Sequence, residues 1–201
     1  MPRLKQRTPE LRNHILTVAV ETLAVDGVGR FTTRRIAEHA ETSVPAIYEL
    51  FGDKSGLVRE IFFEGFRRLQ ADYEALDPTD DPIADLLASL HAFRSFAQAN
   101  SVLFEVMYAR PFSDFDPGPD EADVGRATRE FLVDRVERCL EAGRLQGDAT
   151  DIAHGLLALT SGLAAQELAG WMGQSEASVD RRWTVALTAF TDGLRTDRRR
   201  P

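Results

Sequence analysis

The chain has 201 residues, with 24 Lys and Arg against 32 Asp and Glu, a formal net charge of -8 and 43% hydrophobic residues. This is the composition of an ordinary globular protein, which excludes disorder throughout the chain. Cys139 is the sole cysteine, which excludes an intramolecular disulfide and a cysteine-based zinc site. The N-terminus lacks the apolar stretch of a signal peptide, and no window approaches the ~20 apolar residues that span a bilayer. We therefore expect a soluble, cytoplasmic protein that needs no cofactor or metal.

The charge is unevenly distributed along the chain. Residues 1–60 carry nine Lys and Arg and eight Asp and Glu, whereas the remaining residues have a net charge of -9. Attraction to nucleic acid would therefore come from a local patch near the N-terminus and not from the overall field of the molecule. The acidic balance of the whole chain does not exclude DNA binding.

Apolar residues recur at spacings of three and four along almost the whole chain, and alternating β-branched runs are scarce. This pattern predicts an all-α fold of about nine helices. Their starts and stops are set by capping residues, prolines and glycines. In chain order the predicted helices are about 9–26, 33–40, 44–51, 54–75, 82–99, 101–110, 121–142, 150–169 and 175–194. Residues 111–119 are predicted to form a loop, because they contain three prolines and a glycine.

The second and third predicted helices are short and leave room only for a tight turn, Glu41-Thr42. Ser43 as N-cap, followed closely by Pro45, is a strong start for the third helix. Two short helices joined in this way, with a longer one after them, form a helix-turn-helix arrangement. Its apolar residues are spaced to close a small core with the first helix; they are Ile36, Ala37, Ala40, Ile47 and Phe51. A short helix with small, hydroxyl and aromatic residues outward can enter the major groove and reach phosphates.

These residues resemble the DNA-binding domain of the TetR family of bacterial transcriptional regulators. The sequence supplies the family pattern in register over about residues 10–60, as Gly27, Thr32-Thr33-Arg34-Arg35-Ile36-Ala37, Ser43-Val44-Pro45-Ala46-Ile47-Tyr48, Phe51, Lys54 and Leu57. The resemblance implies an N-terminal all-helical DNA-binding domain at 1–54. It also implies a helical bundle at 55–201 for ligand binding and dimerisation.

The resemblance implies DNA contacts position by position. Tyr48 and Lys54 would contact phosphates, and Thr33 and Arg34 would meet the backbone beside the groove. The full set of expected DNA-binding residues is Thr32, Thr33, Arg34, Thr42, Ser43, Val44, Pro45, Ala46, Tyr48 and Lys54. Thr42, Val44, Pro45 and Ala46 would lie nearest the base edges, where the apolar ones suggest methyl contacts to thymine. Arg3, Lys5 and Arg7 would form an arm in the minor groove, or else a tail without that role.

Four positions depart from the family pattern. Glu41 stands where glycine is usual in the turn, Thr42 where an apolar residue is usual, Val44 at a frequently basic position, and Leu50 at a common histidine position. Together with Glu49 these residues make the expected DNA-binding surface less basic than usual. The target sequence therefore cannot be inferred from a relative.

For the C-terminal part, the resemblance implies a homodimer formed by the helices at about 150–169 and 175–194. Small residues there would allow close packing across a two-fold axis, although packing within one chain is an alternative. The expected effector pocket is lined by Phe66, Phe93, Phe96, Phe104, Met107, Tyr108, Phe131 and His154. Residues at such helical spacing also suit a plain core. His154-Gly155 resembles a subgroup with a Trp-His-Gly motif, with Ala153 in the Trp position.

The sequence thus predicts a DNA-binding transcriptional regulator that reads a palindromic operator as a dimer. The expected mode is repression released by a small hydrophobic or aromatic effector, which would shift the fourth helix and change the spacing of the recognition helices. Activation stays open, as does a helical interaction protein that uses the motif only for folding. The common catalytic motifs, such as G-x-S-x-G, H-E-x-x-H and the P-loop, are absent from the sequence, which argues against an enzyme.

Overall fold

The computed structural model describes residues 8–113 and 115–196, and over these ranges the chain is all-α, as predicted. The described residues form nine α-helices: α1 (Pro9–Asp26), α2 (Thr33–His39), α3 (Val44–Phe51), α4 (Lys54–Glu74), α5 (Pro82–Ala99), α6 (Ser101–Phe104), α7 (Pro119–Glu141), α8 (Ala149–Leu168) and α9 (Glu176–Gly193). A 3-10 turn, Val28–Arg30, follows α1, and a π-helical turn, Glu105–Ala109, follows α6. In the described ranges, no helix is long and apolar enough to cross a membrane.

Side-chain caps fix the starts of the first three helices. The hydroxyls of Thr8, Thr32 and Ser43 each accept a hydrogen bond of 3.3 Å from an amide in the first turn of α1, α2 and α3, respectively. Such caps satisfy amides that have no partner inside the helix. Gly27, with φ 72, ends α1 in a conformation that glycine adopts without strain. These local signals explain why the predicted boundaries of α1, α2 and α3 agree with the structure to within a residue.

Two later boundaries differ from the prediction. The helix expected at 101–110 keeps α geometry only to Phe104, continues as the π-helical turn, and stops at Arg110, which has φ 49. Hydrophobic periodicity does not distinguish an α-helix from one π turn. Helix α7 begins at Pro119, inside the expected loop, because proline fits the first turn of a helix, where its missing amide is not needed.

The described residues pack into two compact units, which are not divided where the predicted domains are. The first unit comprises residues 8–67 and 102–122, and the second comprises 68–101 and 123–196. Ile15, Ile36, Ile47, Leu57 and Ile61 are fully buried in the first unit. The first unit therefore contains α6, the π-helical turn and the start of α7 as well as the helix-turn-helix. The division into 1–54 and 55–201 stays a prediction about function.

The second unit has its own apolar core and two polar clusters. Its fully buried residues include Leu69, Leu86, Val136, Leu156 and Trp183. In one cluster Glu167 of α8 accepts hydrogen bonds from residues of α5 and α9. In the other, Asp85 of α5 accepts from the amide and hydroxyl of Thr79 and from Arg138 of α7. Both clusters join elements that are distant in sequence, so they specify how these helices pack.

Candidate nucleic-acid interface

The helix-turn-helix is held by the small apolar core that the sequence predicts. Ile36, Ala37 and Ala40 on the α2 side and Ile47 and Phe51 on the α3 side are all buried. Because α3 turns its buried side to this core, its opposite side is exposed to solvent. The helix periodicity thus leaves an outward face on α3, as major-groove recognition requires.

The turn between α2 and α3 contains a strained residue. Glu41 has φ 49, in the left-handed region, at the position where the resemblance led us to expect glycine. A non-glycine residue in this conformation is disfavoured by about 1–2 kcal/mol because its Cβ approaches the backbone. The amide of Thr42, which follows it, donates to the carbonyl of Ala37 at 2.9 Å. The turn therefore keeps its geometry without glycine, at some cost in stability.

Hydroxyl groups from both helices meet on the outward face. The Tyr48 hydroxyl lies 3.4 Å from Oγ1 of Thr33, and the Tyr48 side chain is exposed. The hydroxyls of Thr32 and Ser43 accept the capping bonds of α2 and α3. A hydroxyl that accepts in this way still carries a proton that it can donate. Four of the predicted DNA-binding residues thus bring hydroxyl groups to the starts of α2 and α3 and the outward side of α3.

The arginines of α2 have different partners. Arg34 is largely exposed, and its Nε donates to Oε1 of Glu38 at 3.2 Å along one helix face. Arg35 instead forms a two-pronged ion pair with Asp26 at the end of α1, with 2.8 Å between Nη2 and Oδ1. An exposed pair such as Arg34–Glu38 contributes little to stability and is easily exchanged for another anion. Arg34 is therefore the arginine of α2 that can turn towards a phosphate.

Lys54 is the first residue of α4, and its ammonium group lies over an aromatic ring. Nζ is 5.3 Å from the centre of the Phe112 ring. Oδ1 of Asp53 accepts from the amide of Gly56 at 2.7 Å and so caps this helix. Gly56 is required here, because a Cβ at this position would overlap the carbonyl oxygen of Phe51. The junction between α3 and α4 is thereby fixed, and Lys54 stands at the positive end of the α4 dipole, which favours anions.

The residues expected nearest the base edges are not equally accessible. Pro45 is exposed and Val44 is half-buried, whereas Ala46 is buried against the core. The hydroxyl oxygen of Thr42 is also buried, and within the described ranges it has no hydrogen-bond partner. The structure thus leaves Val44 and Pro45 as the accessible apolar residues. The arm expected at Arg3, Lys5 and Arg7 lies outside the described residues.

The eight candidate effector-binding residues are divided between the two units. In the first unit, Tyr108 lies 5.1 Å from Phe104 and 6.4 Å from Phe66 between ring centres, and Met107 is buried beside Gly65. Burial raises the pKa of the Tyr108 hydroxyl, so it stays a neutral donor. In the second unit Phe93 and Phe96 are buried, and Phe131 stacks on Tyr73 at 4.5 Å. His154 is exposed on α8, where Nδ1 lies 2.8 Å from the carbonyl oxygen of Thr150.

The structure gives a physical role to Gly155, which follows His154. A Cβ at this position would lie 2.7 Å from Cζ of Phe190 in α9, closer than side chains pack. Glycine therefore lets the Phe190 ring approach the backbone of α8. The same α8 exposes small residues at Ala158, Gly162 and Ala165. Two aspects of the site escaped the sequence analysis: the burial of the Thr42 hydroxyl, and the position of the Phe112 ring beside Lys54.

Comparison with known proteins agrees with this geometry. The family model "Bacterial regulatory proteins, tetR family" matches residues 15–61, and "Tetracyclin repressor-like, C-terminal domain" matches residues 86–190. The chain is 31% identical over 159 residues to the HTH-type transcriptional regulator AcrR of Shigella flexneri, covering 73% of this chain and 72% of that protein.

Solved structures share the same fold. A protein of unknown function from Rhodococcus sp. RHA1 superposes with a TM-score of 0.81 and 28% identity, over 96% of this chain and 100% of that one. A bacterial regulatory protein of the tetR family from Rhodococcus RHA1 gives a TM-score of 0.71 and 23% identity, over 90% and 96% of the two chains. With a family model that spans most of its C-terminal half, and a helix-turn-helix that presents hydroxyl and basic groups outward, this chain belongs to the TetR family and is a DNA-binding transcriptional regulator, not an enzyme.

Proposed function

We propose that the chain is a homodimeric repressor that binds a palindromic operator and leaves it when a small hydrophobic or aromatic effector binds. The observation that carries the proposal is the outward face of α3, where Pro45 and Tyr48 are exposed and the Tyr48 hydroxyl lies 3.4 Å from Thr33 of α2. On a short capped helix, exposed apolar groups suit the base edges of a major groove, and exposed hydroxyl groups suit the phosphates beside it.

In this proposal the phosphate contacts come from three places around α3. The hydroxyls of Thr33 and Tyr48 donate to the backbone of one strand, helped by the capping residues Thr32 and Ser43. Arg34 exchanges its partner Glu38 for a phosphate, since an exposed ion pair of this kind contributes little to stability. Lys54 contacts a phosphate at the start of α4, where the helix dipole favours the same anion.

The base contacts in this proposal are made by apolar groups. Val44 and Pro45 are the accessible residues of the set, and neither side chain can donate a hydrogen bond. They fit thymine methyl groups in the major groove. The buried Thr42 hydroxyl leaves only the methyl group of that residue for such a contact, and Ala46 supports α3 from within the core.

The dimer in this proposal forms through α8 and α9, at about 150–169 and 175–194. Exposed small residues on α8 allow close helix approach, and Val185 of α9, which is 62% exposed, is available for contact with a second chain. To read two half-sites one turn of DNA apart, the recognition helices of the two protomers must lie roughly 34 Å apart. A single helix-turn-helix would read only half of a palindrome.

The candidate effector-binding residues in this proposal are Phe66, Phe104, Met107 and Tyr108 in the first unit and Phe93, Phe96, Phe131 and His154 in the second. The family's C-terminal match at residues 86–190 includes all of these except Phe66. A ligand that binds the DNA-free state more tightly than the DNA-bound state releases the operator by linkage. Most of the set is apolar, which favours a hydrophobic or aromatic molecule over a highly charged one.

Footprinting on the DNA upstream of the protein's own gene tests the proposal. We expect one protected region with two symmetric half-sites, whose centres are separated by a whole number of helical turns. We also expect the protein to sediment as a dimer at the concentration that protects the DNA. A single unpaired half-site, or a protein that stays monomeric at the concentration that protects DNA, would refute the dimeric mode. Loss of transcription from that promoter when the gene is deleted would refute repression.

A further inference from the structure

Phe112 packs against two residues close to the starts of helices α2 and α4. Its ring centre lies 5.3 Å from that of Phe31, with the planes at 58°, and 5.3 Å from Nζ of Lys54. Phe31 directly precedes Thr32, the cap of α2, and Lys54 is the first residue of α4. The Phe112 ring is buried and the Lys54 side chain half-buried, so the contact is partly withdrawn from water. A cation held over a ring in such surroundings is attracted more strongly than at an open surface.

The segment that carries Phe112 is fixed to α4 on both sides. Before it, Met107 of the π-helical turn packs so closely on Gly65 that a Cβ there would overlap the methionine sulfur. After it, the Phe115 ring lies 5.7 Å from Phe62 of α4. Phe112 is therefore held by its neighbours and does not lie at the tip of a free loop.

Helix α7 begins with a further attachment to α4. Glu121 forms an ion pair with Arg59, and its Oε2 accepts from the amide of Gly118 at 2.8 Å. Burial alone would raise the pKa of Glu121, but these amide and guanidinium partners lower it, so the carboxylate is ionised at neutral pH. Residues 105–113 and 115–121 thus belong to the same compact unit as the helix-turn-helix.

We propose that Phe112 is a positioning residue for DNA binding, which holds the Lys54 ammonium group over its ring in the direction from which Lys54 contacts a phosphate. The inference rests on the proposed phosphate contact of Lys54. A lysine side chain loses much rotational freedom when it is fixed, so ordering it before DNA arrives reduces the entropy lost on binding.

The test replaces Phe112 by phenylalanine with one, two or three ring fluorine atoms. Fluorine withdraws electron density from the ring face and weakens its attraction for a cation, while the shape of the ring is nearly kept. The affinity for DNA is measured by fluorescence anisotropy, on a duplex that the unmodified full chain has selected from a random pool. We expect a stepwise loss of affinity that reaches about two- to five-fold with three fluorine atoms.

A double-mutant cycle separates this effect from the contact between Phe112 and Phe31. In a Lys54→Met background, which keeps the length of the side chain without its charge, fluorination of Phe112 should leave the affinity unchanged. The same fluorinated residue at Phe115, whose ring lies against the Phe62 ring, is the matched control and should also have no effect. Thermal melting of each variant, followed by circular dichroism, checks that the fold is kept.

The outcomes distinguish this inference from the proposed function. If Lys54→Met weakens binding and its salt dependence but fluorination at Phe112 does not, the inference is overturned and the proposed function stands. If fluorination weakens binding equally with and without Lys54, Phe112 acts only through packing, and the inference is again overturned. If the unmodified protein selects no duplex at all, both the proposed function and this inference fail.

Discussion

Glu167 joins three helices of the second unit, and its replacement by alanine is expected to destabilise the protein strongly. Its carboxylate accepts hydrogen bonds from Arg94 at 2.8 and 2.8 Å, from Gln98 at 2.7 Å and from the Trp183 indole at 2.6 Å. Burial alone would raise the pKa of Glu167, but these donors, led by Arg94, hold it below its usual value. The carboxylate is therefore ionised at neutral pH and is the acceptor at the centre of the cluster.

The expected loss of stability depends on which interactions the partners of Glu167 retain after the substitution. Removing one member of a buried ion pair costs about 3–5 kcal/mol, because the partner is left as an uncompensated charge. Arg94 retains an ion pair with Asp180 at 2.7 Å, and its guanidinium lies 5.2 Å from the centre of the Trp183 ring. The Trp183 indole, by contrast, loses its acceptor in a fully buried position. We therefore expect Glu167→Ala to lower the free energy of unfolding by about 2–3 kcal/mol.

Urea unfolding followed by tryptophan fluorescence measures this loss. The other tryptophan, Trp171, is exposed, so a Trp171→Phe background assigns the signal to Trp183. Asp192→Asn in α9 is the matched control, since it removes an exposed ion pair with Arg195, which follows that helix, and should change stability by less than about 0.5 kcal/mol. All variants are compared at one protein concentration, because the proposed dimerisation would couple to stability. A loss for Glu167→Ala no greater than that of the control would refute the reasoning.

Three further predictions concern single residues. The Thr79 hydroxyl, with Arg138, lowers the pKa of Asp85 to about 2. The ionised Asp85 carboxylate therefore stabilises the fold fully above about pH 4, and this stabilisation is lost as the pH falls towards 2. In urea titrations, the difference in unfolding free energy between wild type and Asp85→Asn should shrink over that range. Because Glu41 has φ 49, Glu41→Val should lower the free energy of unfolding by more than about 1 kcal/mol, whereas Glu41→Gly should keep or raise it. Burial raises the pKa of the Cys139 thiol to about 11, so iodoacetamide at pH 8 should label it only after unfolding, as mass spectrometry would detect.

The sequence predicted well those structural features that depend on residues close together in the chain. Thr8, Thr32 and Ser43 cap their helices through bonds to amides three residues away, so the pattern alone identifies them. The core of the helix-turn-helix follows from helical spacing, since Ile36, Ile47 and Phe51 are buried as predicted. These signals lie within a few residues of one another and require no knowledge of how distant segments meet.

The features that the sequence did not predict depend on contacts across the chain. Arg94 and Glu167 are 73 residues apart, and Phe112 reaches Phe31 and Lys54 from a segment far along the chain. The burial of the Thr42 hydroxyl is a result of tertiary packing, which no local pattern encodes. The π-helical turn after α6 shares the apolar spacing of an α-helix, so periodicity could not reveal it.

The central claim is that Tyr48, Lys54 and the outward face of α3 bind a specific DNA sequence. The most direct test measures, over a series of salt concentrations, the anisotropy of the duplex upstream of the protein's own gene and of an unrelated duplex of equal length. We predict a preference for the upstream duplex that persists at physiological salt, and a slope of log affinity against log salt that falls by about 0.9 in Lys54→Met. Equal affinity for both duplexes, or an unchanged slope in Lys54→Met, would contradict the account.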